Sequence, residues 1–146
     1  MALGALPGLF SCYIKLGDFM KYLHTMIRIS NIEASVKFYT EVLGFTVHSQ
    51  QDYPEGKFTL VFLKSHPEQE EPCLELTYNY GTDSYDIGNG YGHMAFLVPS
   101  LDELQKHVES LGYKFSVGPK KTPNGKSGMA FIKDPDGYSV ELLSRG

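Results

Sequence analysis

Apolar positions along this chain follow two periods, and the switch between them occurs at corresponding places in its two halves. Residues 22–47, YLHTMIRISNIEASVKFYTEVLGFTV, and 91–117, YGHMAFLVPSLDELQKHVESLGYKFSV, each open with an alternating strand carrying one His. A helical stretch follows in each, and both close on Leu-Gly-aromatic. Ile32, Val36, Tyr39 and Leu43 are spaced as one helical stripe, and Leu101, Leu104, Val108 and Leu111 as another, so each helix lays one face on a sheet. Ser30-x-x-Glu33 and Ser100-x-x-Glu103 read as capping boxes, in which the Ser and Glu satisfy free amides of the first turn. Gly44 and Gly112 stand where the helices stop.

Further β-type runs follow each helix. KFTLVFL (57–63) and CLELTYNY (73–80) flank a polar loop in the first half, and GMAFIKDPDGYSVELL (128–143) lies in the second. Asp134-Pro135-Asp136-Gly137 joins two apolar runs with residues that favour a tight turn, which predicts a hairpin. The expected fold is α+β: two tandem βαβββ modules, 20–86 and 87–146, forming a curved, open mixed sheet. His24 and His93 are 69 residues apart, Ser30 and Ser100 70, Gly44 and Gly112 68, and Glu75 and Glu141 66, as in a duplicated module whose loops differ slightly in length. Residues 1–19 are apolar, are interrupted by Pro7 and carry no charge before Lys15. They lack the basic start of a secretory signal and the length of a membrane span. They are read as an N-terminal extension, disordered, with the folded part beginning at Met20.

Composition narrows the function classes. A chain of 146 residues, 42% hydrophobic and 21% charged, has enough apolar material for a packed core and is too short for a large multidomain enzyme. Its net charge of -4, with the basic residues scattered, argues against a nucleic-acid partner or an anionic membrane surface. Two cysteines, Cys12 and Cys73, are too few for a disulfide framework, and a reducing, cytoplasmic setting is expected.

The candidate chemistry lies in the repeat. His24 and His93 sit on the first strand of each module, and Glu75 and Glu141 on the last. Singly, each has an ordinary reading as a hydrogen-bonded strand His or the solvent side of an alternating strand. Jointly they form two imidazoles and two carboxylates related by the duplication, a divalent-metal donor set on a shared concave face. Side chains alternate across a sheet, so Met26 and Arg28 share the face of His24, and Cys73, Thr77 and Asn79 that of Glu75. Leu23, Ile27 and Ile29, with Leu74, Leu76 and Tyr78, are left to pack under the helices. Arg28 and Asn79 suit an anionic, peptide-like ligand, while solvent exposure is the plainer reading of Arg28. His48, His66 and His107 have no counterpart in the repeat and read as surface residues, and Cys73 as a small buried thiol. Neither a phosphate-binding glycine loop nor a nucleophile elbow is present.

These residues are similar to those of the glyoxalase I (lactoylglutathione lyase) family of the vicinal-oxygen-chelate superfamily, over essentially 20–143. The resemblance rests on LHTMIRI (23–29), KFYTEVLGF (37–45), LELTYNYG (74–81), GYGHMAF (90–96) and FIKDPDGYSVELL (131–143). It implies the glyoxalase/bleomycin-resistance/dioxygenase fold and a homodimer with active sites between chains. Each site would hold one divalent metal through His24, Glu75, His93 and Glu141, with water completing the octahedron. Glu141 and Glu75 are the implied catalytic pair, Glu141 as the base. Arg28 and Asn79 match positions holding the glutathione portion of the substrate, and Lys126 and Met129 fall in a loop, TPNGKSGMAF (122–131), that resembles one covering the glycyl carboxylate but is a residue shorter. Asn89 stands where animal members carry a substrate-binding Arg, which leaves the thiol open among glutathione, trypanothione and another thiol. His24 stands where zinc-type animal members have Gln, and the loop 65–72 lacks their insertion, so nickel or cobalt is favoured over zinc. The implied reaction converts the methylglyoxal–glutathione hemithioacetal to S-D-lactoylglutathione through an enediolate, without redox chemistry. The alternatives are a methylmalonyl-CoA epimerase, an extradiol dioxygenase, against which the second carboxylate argues, and a non-enzymatic ligand-binding member.

Overall fold

The computed structural model describes residues 20–145, so the reading of 1–19 as an extension lies outside the described residues. The first half runs β1 (His24–Ile29), α1 (Ile32–Lys37, continued by a π-helical turn over Phe38–Val42), β2 (Thr46–Tyr53), β3 (Phe58–Lys64) and β4 (Cys73–Asn79). In the second come β5 (His93–Leu97), α2 (Leu101–Ser110), β6 (Val117–Lys121), β7 (Ser127–Lys133) and β8 (Ser139–Arg145). The strands form two four-stranded sheets, ordered β1-β4-β3-β2 and β5-β8-β7-β6. Each is mixed: the outer first strand runs parallel to the last strand of its module, and the other pairings are antiparallel. The predicted βαβββ order is therefore present twice. No described helix is long and apolar enough to cross a membrane.

One core serves both modules. Ile27, Ile29, Leu74 and Leu76 from the first sheet and Ile132, Val140 and Leu142 from the second are buried in the same cluster as Phe38, Tyr39 and Val108 of the helical segments. The predicted inward residues Ile27, Ile29, Leu74 and Leu76 are thus buried, whereas Leu23 lies before β1 and is exposed. Aromatic rings bridge the modules, with Phe45 edge-on to Phe96 at 4.9 Å and Phe38 edge-on to Tyr113 at 5.6 Å between centroids. This second packing surface explains why α1 buries more than its predicted stripe. Phe38 and Val42, which lie off the stripe, are buried with Tyr39, and the π-turn that carries all three accommodates an extra residue in the helical register. In α2, Leu101 and Val108 are buried as expected, but Leu111 is exposed, because the helix has ended and Gly112 turns the chain at φ 84°.

The first predicted cap is corrected. Asn31, not Ser30, caps α1, its side chain accepting from the Ala34 amide at 2.8 Å. The Ser30 N–H, which Glu33 would receive in the expected box, donates instead to Asp136 of the other module at 3.1 Å. At α2 the cap is Ser100, which accepts from the Glu103 amide at 3.2 Å, while the Glu103 carboxylate pairs with Lys106 rather than closing the box. An Asn31→Ala variant should lose about 1 kcal/mol in urea unfolding, the usual worth of such a cap. Ser30→Ala, which keeps the backbone N–H, should stay within about 0.5 kcal/mol of wild type.

The Asp134–Gly137 segment forms the predicted hairpin turn, with β7 and β8 in register from Ser127–Arg145 to Lys133–Ser139. It is also the main polar joint between the modules. Asp136 accepts from Ser30 N, Tyr39 donates its hydroxyl to Asp134 at 2.8 Å, and Tyr138 donates its hydroxyl to the Arg28 carbonyl at 2.9 Å. Burial pushes both the Asp134 carboxyl and the Tyr39 phenol above their ordinary pKa values.

Candidate metal centre

Strand pairing builds two matching polar pairs. In the first sheet β1 lies beside β4, and His24 Nε2 sits 2.8 Å from Glu75 Oε2. In the second β5 lies beside β8, and His93 Nε2 sits 2.9 Å from Glu141 Oε2. The side chains are 41% and 11% exposed in the first pair and 42% and 14% in the second, so each imidazole reaches the surface while its carboxylate is held within the sheet.

Each pair carries an aromatic buttress that sequence reasoning missed. Phe62, opposite Glu75 in the strand register, stands edge-on to the His24 ring at 5.6 Å. Phe131, opposite Glu141, stands edge-on to His93 at 5.2 Å. These two phenylalanines are 69 residues apart, the same offset as the histidines, so the signal was present in the repeat. It was hidden because both lie in apolar runs that read as core.

The four donors do not converge within one chain. Among the described residues no third His, Cys, Asp or Glu joins either pair. The shared face expected from the repeat is not formed, for a packing reason: the helix-side faces of both sheets meet in the common core, leaving the His/Glu faces on the outside. Each pair nevertheless fits a metal. Bond lengths of about 2.1 Å at a right angle place neighbouring octahedral donors about 3 Å apart, close to the spacing in both pairs. Each pair supplies one imidazole and one carboxylate, a borderline-hard donor combination.

The other predicted site residues fall around the pairs. Arg28 is exposed on the face of His24, and Asn79 is half-buried at the end of β4, its Nδ2 donating to the Tyr85 hydroxyl at 3.1 Å. Met129 is half-buried on β7, on the same face as Phe131 and Glu141. Lys126 lies in the exposed loop before β7, away from strand pairing. His48, His66 and His107 are exposed as expected, although His107 Nε2 lies 2.8 Å from the Glu41 carbonyl and so contributes to the module joint. Cys73 is a half-buried free thiol.

Residues 21–142 match the family described as the Glyoxalase/Bleomycin resistance protein/Dioxygenase superfamily. The chain belongs to this superfamily. A superfamily relative in Synechocystis, "Probable lactoylglutathione lyase", is 41% identical over 124 residues, covering 85% of this chain and 95% of the relative. The "Probable lactoylglutathione lyase, chloroplastic" of Arabidopsis thaliana is 43% identical over 88% of this chain, and this chain spans only 37% of that longer protein. Among solved superfamily structures, the trypanothione-dependent glyoxalase I of Leishmania major superposes with a TM-score of 0.75 at 44% identity, covering 86% of both chains. Glyoxalase I from Zea mays superposes with a TM-score of 0.81 at 38% identity, covering 86% of this chain and 45% of the maize protein.

Proposed function

We propose that this chain is a metal-dependent lactoylglutathione lyase that isomerises the methylglyoxal–glutathione hemithioacetal to S-D-lactoylglutathione. The observation carrying this reading is the pair of duplicated His–Glu contacts, His24–Glu75 at 2.8 Å and His93–Glu141 at 2.9 Å, on equivalent strands of two sheets. The relatives' names point to the same reaction. We read the working unit as a homodimer in which His24 and Glu75 of one chain and His93 and Glu141 of the other enclose each site, because each chain's own pairs supply only two donors apiece. Nickel or cobalt is our proposal over zinc, and the cytoplasm our proposed setting.

When bound, the metal supplies Lewis-acid polarisation of the substrate's adjacent oxygens. The chain's residues do the rest. The Glu141 carboxylate takes the proton from C1 of the hemithioacetal and returns it to C2 while the C1 hydroxyl proton passes to the C2 oxygen, so the reaction is an internal proton relocation with no external oxidant or reductant. Glu75 holds the opposite side. Arg28 and Asn79 grip the peptide portion of the thiol, about 13 Å of strand beyond the His24–Glu75 pair. Lys126 and Met129 close over its far end.

The test is to strip the metal, restore nickel, cobalt or zinc separately, and follow thioester formation from methylglyoxal with glutathione or with trypanothione. Stripping should remove at least 90% of the activity, about 1.4 kcal/mol or more in the barrier. Nickel or cobalt should restore it well beyond zinc, with one metal per chain. Recovery with zinc alone keeps the reaction and overturns the metal assignment. Recovery only with trypanothione reassigns the thiol. An absence of activity with every metal and both thiols overturns the reading.

A further inference from the structure

A groove between the two modules takes in none of the proposed metal or substrate residues. It measures about 850 Å³ and is lined by Leu43 and Phe45 from the first module and by Phe96, Leu97 and Leu104 from the second. Residues of the loop between β3 and β4 form a further wall, and Glu71 and Glu103 add acidic groups to a mainly apolar lining. Leu97 is 62% exposed within it. A space of this size takes a short stretch of chain and not one side chain, and apolar surface of this extent left to water marks a face that is built to be covered.

The chain itself leads there. Lys21 pairs with Glu70, which stands between the groove residues Gln69 and Glu71. The Leu23 carbonyl accepts from the Cys73 amide at 2.8 Å, just after the same loop. The peptide that precedes β1 is therefore held against the loop that walls the groove, while Met20, Tyr22 and Leu23 are exposed. Upstream of Met20 stand 19 mostly apolar residues whose charges are Lys15 and Asp18 alone. Such a stretch gains free energy by leaving water. Lys15 lies six residues before the anchored Lys21, a reach of about 20 Å when extended, which brings its ammonium to the acidic side of the groove.

We propose that residues 1–19 occupy this groove in their own chain and clamp its two modules together, with Lys15 against the acidic lining. The anchor at Glu70 selects the chain's own segment, and the acidic lining matches the one cation that the segment carries. The proposal stands apart from the assigned reaction, since no proposed ligand or base lines the groove.

The experiment is hydrogen exchange, read by mass spectrometry, on the full chain, on its Leu97→Asp variant and on a chain that starts at Met20. Leu97 is exposed and outside the packed core, so its substitution probes the groove without threatening the fold. In the full chain the amides of 65–71 and 95–100 should exchange about 10-fold more slowly than in either comparison protein, and those of 1–19 about 10-fold more slowly than in Leu97→Asp. A synthetic peptide of residues 1–19, added to the chain that starts at Met20, should restore the protection of 65–71 and 95–100. It should fail to do so when that chain also carries Leu97→Asp. Exchange of 1–19 at the rate of the isolated peptide overturns the proposal, as does exchange that Leu97→Asp leaves unchanged. Protection of 1–19 that appears only on vesicles containing phosphatidylglycerol would give the segment to a membrane surface and overturn it. Protection lost on dilution would give the groove to a second chain, with the same consequence. Should the chain that starts at Met20 fail to fold, the full chain against its Leu97→Asp variant decides the question.

Discussion

Glu141→Gln should lower kcat about 10²- to 10⁴-fold, the range expected when a positioned general base is lost, with the metal content of the protein retained. The substitution is nearly isosteric and keeps a carbonyl oxygen that can approach His93, so the hairpin and the β5–β8 pairing have no reason to change. It removes the basicity of the oxygen to which we assign the proton relocation. The control is Glu75→Gln. The two pairs have nearly the same geometry and exposure, so a purely structural or metal-holding role would give the two variants equal losses. Our assignment of Glu141 as base predicts the deeper loss in Glu141→Gln, read as kcat at saturating substrate alongside metal analysis. A Glu141→Gln enzyme with more than half of wild-type turnover would sink the assignment, and a deeper loss in Glu75→Gln would exchange the two roles.

That the two carboxylates can be named at all follows from the duplication. Nearly constant spacing between His24 and His93 and between Glu75 and Glu141 marks them in the sequence, and strand alternation puts Arg28 and Asn79 on the same side as their partners. Local rules could carry this much because pairing and parity are properties of neighbouring strands. They could not show which sheet faces meet across the molecule. The common core between the modules turns the His–Glu pairs outward, and no period in the sequence records that choice. The same blindness explains the cap. Ser30 and Asn31 are comparable capping residues by type, and the Ser30 N–H that a capping box would give to Glu33 goes instead to Asp136, more than a hundred residues away. Phe62 and Phe131 were legible in principle from the repeat, but an aromatic in an apolar run signals core more strongly than it signals a wall beside an imidazole.

The turn that supplies Asp136 also carries the largest stability effect we expect. Asp134→Ala should destabilise the fold by about 3–5 kcal/mol, a large part of the total stability of a domain of this size. Asp134 is buried, and its carboxylate takes three bonds: the Tyr39 hydroxyl at 2.8 Å, the Tyr138 amide at 2.9 Å and the Asp136 amide at 3.0 Å. Alanine leaves a fully buried phenol and two turn amides without their acceptor, and desolvated groups of that kind cannot recover water. Asp134→Asn is the informative companion. Its amide oxygen can still accept from both backbone N–H groups, so it should cost well under half as much in urea unfolding at neutral pH.

The pH dependence gives a second, independent reading. Burial raises the Asp134 pKa in the folded state, so between the ordinary carboxylate value and the raised one the folded protein binds more protons than the unfolded chain. This group therefore subtracts stability as the pH rises through that window, the reverse of a salt-bridged aspartate. Asp134→Asn lacks the slope and should gain on wild type as the pH climbs from about 4 toward neutrality. A wild type that gains on Asp134→Asn over the same range would mean that the hydrogen bonds to Tyr39 and the turn outweigh desolvation. Because Asp136 and Tyr138 in the same turn hold Ser30 and the Arg28 carbonyl, Asp134→Ala should also raise the KM for the hemithioacetal below its unfolding temperature, at a distance from every proposed metal ligand.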